Sequence, residues 1–167
     1  MDTPQRTQEA TQLDGPAIVL LEEHVRRVLE MMGFGEAEVD CGRSDSLMVS
    51  ININAGDAGR ALIGVRGLHL HALQHTLRCV LRKQLPAGMR VSVDVNGYRA
   101  RRERSLLGLA EEVARKAART GRTVVMQPMS ASDRRTIHTA LAGHKDVQTE
   151  SLGDEPDRRV VVRPIFL

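Results

Sequence analysis

The chain has 167 residues, 41% hydrophobic and 27% charged, which suits one medium or two small globular domains. No apolar run approaches the roughly 18 to 20 residues of a membrane span, and residues 1–16 lack the apolar centre of a signal peptide, so the expectation is a cytoplasmic protein without a membrane span. Charge is segregated: residues 1–50 carry 4 Lys and Arg against 10 Asp and Glu, whereas residues 51–167 carry 20 against 11. A positive field of that kind attracts polyanions, and nucleic acid is the commonest one in a cytosol. With one Tyr, two Phe and no Trp, the chain cannot build the aromatic platform on which RRM and OB-type readers stack bases. Cys41 and Cys79 stand far apart with no Cys-x-x-Cys spacing. That indicates neither a zinc site nor a disulfide framework and predicts two buried thiols.

In chain order, residues 1–16, with Pro4, Gly15 and Pro16, read as a disordered tail. From Ala17 to Met32 the residues Val19 or Leu20, Leu21, Val25, Val28, Leu29 and Met32 recur at helical spacing, and Gly33 closes the run. Val39 to Gly42 fits a short strand. Leu47, Val49, Ile51 and Ile53 alternate with Met48, Ser50, Asn52 and Asn54, the period of a half-buried strand. Asp57 to Leu62 allows one or two helical turns, and Leu68 to Lys83 a full helix with Leu70, Leu73, Leu77, Val80 and Leu81 in its stripe. Pro86 and Gly88 break the chain before a strand over Arg90–Val95, with Val91, Val93 and Val95 inward. The order helix, strand, strand, short helix, glycine loop, helix, strand defines a compact α+β unit.

Between the two helices lies Ile63-Gly64-Val65-Arg66-Gly67. Glycines without a Cβ let a sugar-phosphate approach the backbone, and amides at a helix start favour an anion. Arg66 adds a fixed charge. On spacing alone a Gly-x-x-Gly is an ordinary turn. Here its setting resembles the KH domain in its bacterial, type II arrangement, where an Ile-Gly-x-x-Gly loop clamps about four single-stranded nucleotides. Such loops usually carry a lysine or two basic residues at the variable pair. Val65 leaves Arg66 alone in that role, which predicts modest affinity.

Tyr98 to Thr120 reads as a long helix with Leu106, Leu109, Val113 and Ala117 on one face and Arg99, Arg101, Arg102 and Arg104 crowded at its start. Those charges repel each other at the unfavourable end of the dipole, and a phosphate backbone would offset them. Gly121–Met126 reads as a strand stopped by Pro128. Ser130 and Asp133 make a capping-box-like start for a helix to about Leu141, and Val147–Ser151 with Arg158–Arg163 form a hairpin around the acidic loop 152–157. Arg134 and His138 stand four apart on that helix, beside the Ile137/Leu141 stripe.

Arg134-x-x-x-His138 on a capped helix between a strand and a hairpin resembles the small nucleic-acid-binding domain named for its Arg-x-x-x-His signature. Taken with Tyr98-Arg99-Ala100-Arg101-Arg102, Arg119-Thr120-Gly121, Pro128-Met129, Asp133 to His138 and Glu155 to Val161, the chain is similar to the bacterial Jag (also called KhpB) family over roughly residues 17–162. That family joins a KH domain to an Arg-x-x-x-His domain. The resemblance implies an α+β protein with a tail over 1–16, a type II KH domain over 17–97 and a small α+β Arg-x-x-x-His domain over 98–167. It implies single-stranded RNA as ligand, with single-stranded DNA the other compatible strand. Ile63, Gly64, Val65, Arg66 and Gly67 would form the first contact and Arg134 and His138 a second, with Arg101, Arg102 and Arg104 lying between them in the chain. It further implies post-transcriptional regulation tied to envelope growth, division or sporulation, and a small single-KH protein, the membrane-protein insertion machinery or a second copy as partner. The competing expectation is a protein–protein adaptor whose KH-like unit dimerises without binding RNA. Many members carry a further N-terminal domain, whose functions the resemblance does not bring to this chain.

No catalytic set, metal site or cofactor motif emerges. Gly56-Asp57-Ala58-Gly59-Arg60 lacks the Gly-Lys-Ser/Thr ending of a P-loop. His71 and His75, with His69 nearby, have metal-ligand spacing but no Cys or Glu positioned to complete a site, and they read as surface histidines. No nucleophile or second carboxylate recurs near His138.

Overall fold

The structure is a computed structural model that describes residues 15–45 and 47–165. These residues divide into two compact units between Gly97 and Tyr98. Of the segment expected to form a disordered tail, residues 1–14 lie outside the described ones, and Gly15 and Pro16 already belong to the first helix.

In the first unit, helix α1 (Gly15–Met31) buries Leu21, Val25, Val28 and Leu29, spaced so that they fall on one face. Val19, Leu20 and Met32, expected on that stripe, are exposed, so the buried face runs only from Leu21 to Leu29. Gly33, at φ +86°, ends the helix, and the Phe34 amide folds back to donate to Leu29 O at 2.8 Å. Strand β1 (Glu38–Asp45) runs beyond the expected Gly42 because it pairs along nearly the whole of β2 (Met48–Asn54), antiparallel, with Val39 opposite Ile53 and Cys41 opposite Ile51. β2 also pairs in parallel with β3 (Arg90–Val95), Ile51 opposite Val93. A parallel neighbour requires a crossover, which α2 (Gly59–Ile63) and α3 (Leu68–Leu81) supply.

One face of this sheet, with Val39, Cys41, Val49, Ile51, Ile53, Val91, Val93 and Val95, is buried, and α1 and α3 pack on strands and on each other. Leu47 lies in the turn before β2 and is exposed, as is Val80 on α3, which is expected in the stripe but falls beside Leu77 and Leu81 rather than between them. The open edge of β1 is covered from α1. Glu22 Oε1 accepts from the Cys41 amide at 3.1 Å, and Arg26 donates to Val39 O at 3.3 Å while pairing with Glu22. Of the two thiols expected to be buried, only Cys41 is; Cys79, on the outer side of α3, is exposed. Burial, helped by the neighbouring Glu22 and Asp40 carboxylates, pushes the Cys41 thiol up to about 12.

The second unit is built on α4 (Tyr98–Thr120) and α5 (Ala131–Leu141), which pack on each other and on an antiparallel sheet ordered β4-β6-β5, with β4 at Val124–Val125, β5 at Val147–Leu152 and β6 at Arg159–Pro164. Leu106, Val113 and three alanines, Ala110, Ala114 and Ala117, form the inner face of α4. Leu109, expected there, falls at the margin of the face that Leu106, Ala110, Val113 and Ala117 define and is exposed. Met126, Met129, Ile137, Leu141, Val147, Val160 and Val162 complete the core. β4 is shorter than the expected Gly121–Met126. Beyond Val125 the pairing continues as separate bonds, Met126 N to Val160 O at 2.9 Å and Met129 N to Arg158 O at 3.1 Å, around Pro128, which has no N–H to give. Among the described residues no helix is long and apolar enough to cross a membrane.

Candidate nucleic-acid interface

The glycine turn is open on the surface of the first unit. α2 closes with the Gly64 amide donating to Arg60 O at 2.9 Å, and the chain then reverses through a single 3-10 turn, Val65–Gly67. Three of the four residues Gly64–Gly67 have positive φ: Gly64 at +68°, Arg66 at +55° and Gly67 at +82°. Gly64 combines that φ with ψ −178°, a region in which only glycine is at ease. Gly67 is the N-cap of α3 and, having no side chain, leaves the first amides of that helix without a side-chain cap from that position. Val65 and Leu68 are 72% and 65% exposed, Arg66 is exposed, and Ile63 is half-buried. A positive helix end, a bare backbone and one guanidinium thus meet at a solvent-facing turn, the geometry an anion accepts.

Residues to which the sequence assigned no such role hold this turn in place. Asn96, just past β3 at φ +52°, accepts from the Ala55 amide at 2.9 Å and donates to Gly56 O at 2.8 Å, tying the start of the helix–turn–helix to the end of the sheet. Gly59 packs so tightly beneath the Asn96 amide that a Cβ there would overlap it. His69, on the first turn of α3, donates from Nδ1 to Ala61 O on α2 at 2.7 Å, and its ring lies where a Cβ on Gly64 would fall. The sequence signals were the Asn-Gly pair after β3, too common to single out, and His69, which its spacing to His71 and His75 set among the surface histidines.

In the second unit the signature side chains are occupied. Arg134 is only 9% exposed; Nη1 donates to Met129 O and Nη2 to Glu155 Oε1, both at 2.6 Å. It bridges the segment before α5 to the acidic loop before β6. Half-buried His138 meets two hydroxyls of β5, Thr149 Oγ1 at 2.7 Å from Nδ1 and Ser151 Oγ at 2.8 Å from Nε2. Hydroxyls both donate and accept, so either tautomer is satisfied. Ser130 accepts from the Asp133 amide at 3.2 Å, the expected cap, while the Asp133 carboxylate accepts from Arg102 at 2.8 and 3.2 Å. Part of the arginine crowding at the start of α4, which on sequence called for an external phosphate, is therefore balanced from within. Arg99, Arg101 and Arg104 remain exposed. Burial, with the Asp133 charge added and Arg102 opposing, raises the nearby Tyr98 phenol above its ordinary range.

The histidine pair on α3 goes elsewhere: His75 Nδ1 faces Arg78 at 2.9 Å and Nε2 faces Cys79 Sγ at 3.7 Å. Among the described residues no group of three or more His, Cys, Asp or Glu could hold a metal ion.

A compact α+β unit presenting a glycine turn, followed by a helix-and-hairpin unit cross-braced by an Arg and a His, defines the class. Residues 104–164 match the family model of the R-three-H domain, the domain of the Arg-x-x-x-His signature. Over 84% of its length the chain is 36% identical to the RNA-binding protein KhpB of Clostridium symbiosum, and over 87% it is 33% identical to that of Lactiplantibacillus plantarum. It spans 63% and 44% of those two relatives. With the RNA-binding protein KhpB of Bacillus subtilis it shares 30% identity over 88% of the chain and 75% of the relative. The chain belongs to the KhpB family.

Proposed function

We propose that this chain is a non-enzymatic, cytoplasmic binder of single-stranded RNA, with single-stranded DNA as the other compatible strand. In this reading residues 17–97 are a type II KH domain, and Gly64, Val65, Arg66 and Gly67 hold the sugar-phosphate backbone with Ile63 behind them. Arg134 and His138 shape a second contact surface in residues 98–167, to which Arg101 and Arg104 bring charge, with Arg102 beside them held by Asp133. Two weak sites on one chain raise each other's effective concentration, so a long strand binds better than either site predicts. The family resemblance supports a post-transcriptional role linked to the envelope, division or sporulation, and a single-KH protein, the membrane-protein insertion machinery or a second copy as partner.

The observation that carries the reading is the exposed turn itself, with Gly64 and Gly67 at positive φ and the start of α3 behind it. The test is Gly67→Asp. Asp tolerates the left-handed region better than most residues, so the fold should hold by circular dichroism while a carboxylate meets the expected phosphate. Affinity for a single-stranded oligonucleotide should fall at least tenfold. Wild-type binding should weaken with salt by about 0.7 in the log–log slope per phosphate neutralised. Undiminished affinity in the variant removes the site from this loop.

A second reading, a protein–protein adaptor, draws on Val65 and Leu68, two apolar side chains that stand mostly exposed at the turn. It is favoured if the protein self-associates yet shows no RNA affinity even at low salt.

A further inference from the structure

We propose that His69 is the positioning residue of the Gly64–Gly67 turn: a side-chain latch that fixes the backbone shape on which strand binding depends. The inference rests on the RNA-binding reading for its consequence, but the latch itself is a property of the free protein.

α2 has five residues, too few to persist as a helix by itself, and it is followed by a turn in which three of four residues have positive φ. Such a segment samples many shapes unless something outside it selects one. A helical side chain leans back toward the N-terminus of its helix, so a residue in the first turn of α3 is aimed at the turn that precedes it. His69 uses this direction twice. Its Nδ1 lies 2.7 Å from Ala61 O, joining α3 to α2 across eight residues. Its ring lies against Gly64 and fills the space a Cβ would need. Position 64 must then be glycine for two independent reasons, its φ of +68° and the imidazole beside it.

The contact also defines the proton. A carbonyl oxygen only accepts, so Nδ1 carries the hydrogen and the neutral ring is the Nδ1–H tautomer. Asparagine can present an amide N–H at nearly the same place, phenylalanine keeps the ring without the donor, and alanine has neither.

Three measurements test this. In the free wild-type protein, nitrogen NMR of the imidazole should show His69 protonated at Nδ1; protonation at Nε2 with Nδ1 bare overturns the latch. Amide hydrogen exchange over residues 61–68 should be fastest in His69→Ala, intermediate in His69→Phe and close to wild type in His69→Asn. Equal exchange in all four proteins also overturns it. Affinity for a single-stranded RNA oligonucleotide should fall about tenfold in His69→Ala, the worth of one hydrogen bond and its packing, and return to within about threefold in His69→Asn. Affinity lost in His69→Ala and not restored in His69→Asn, despite restored exchange, overturns positioning in favour of direct contact by the ring. Wild-type protein that binds no RNA while showing the Nδ1 proton and ordered exchange upholds the latch and sinks the RNA-binding reading instead.

Discussion

The two signatures that drew attention in the sequence differ in what they leave available to a ligand. The glycine turn offers backbone rather than long side chains, and its apex, Val65 and Arg66, is exposed on the surface. The Arg134/His138 pair offers long polar side chains, and the fold has already taken them: Met129 O and Glu155 hold one, Thr149 and Ser151 the other. A motif made of missing side chains reports access, whereas a motif made of hydrogen-bonding side chains is as readily a brace. The second unit would then meet a strand through what its brace holds in place and through exposed arginines such as Arg101 and Arg104.

The sharpest way to break this contrast is at Arg134. Replacing it with Met keeps apolar bulk but leaves Met129 O without its donor and releases Glu155. Because Glu155 is 60% exposed, its ion pair contributes little, and most of the cost comes from the buried end. A loss of about 2–3 kcal/mol is expected in the second unit, read as faster hydrogen exchange over residues 128–158. Arg134→Lys should recover little, since an ammonium cannot reproduce a guanidinium that serves two acceptors at once. Unchanged exchange in Arg134→Met together with lost RNA affinity would make Arg134 a direct contact and erase the contrast.

A smaller effect is expected at the base of the glycine turn. Asn96→Ala strips partners from the Ala55 amide and Gly56 O, for about 1–2 kcal/mol. Gly59→Ala should also destabilise, because its methyl meets the Asn96 amide. The two costs should not add: with Asn96 shortened, the methyl has room, and the double variant should be more stable than the sum predicts. Simple additivity in chemical denaturation would show that the two residues do not share a space.

What could be read from the sequence follows from the same physics. β3 and α4 have the same bounds in the structure as their periodicity indicates, because each has one buried face and a glycine or proline nearby to punctuate it. Val19, Leu20, Leu47, Val80 and Leu109 were misplaced because a hydropathy stripe shows which face is apolar but not how wide a neighbour covers it. Cys79 was expected inside on residue type alone, and α3 turns it outward. Asn96 reaches Ala55 across 41 residues, Arg102 reaches Asp133 across 31 and Arg134 reaches Glu155 across 21, and such pairings leave no trace in local spacing. His69 was close enough in sequence to be noticed, but its role depends on which way the first turn of α3 points.

The smallest effect is the one that most directly separates the two functional readings. Val65 stands 72% exposed at the apex of the turn, so Val65→Lys should leave stability within about 0.5 kcal/mol. If a strand lies on the turn, one more cation there should improve affinity roughly two- to fivefold at low salt and steepen the log–log salt slope by about 0.7, one additional phosphate neutralised. If Val65 is part of an apolar contact between protein chains, the same substitution places a charge in it, and self-association should weaken without any gain in RNA affinity. The two outcomes have opposite signs in a single variant, measured by an oligonucleotide titration at two salt concentrations beside a sedimentation run on the same sample. A gain in affinity with no change in association assigns the exposed valine to a weakened phosphate site rather than to an interface.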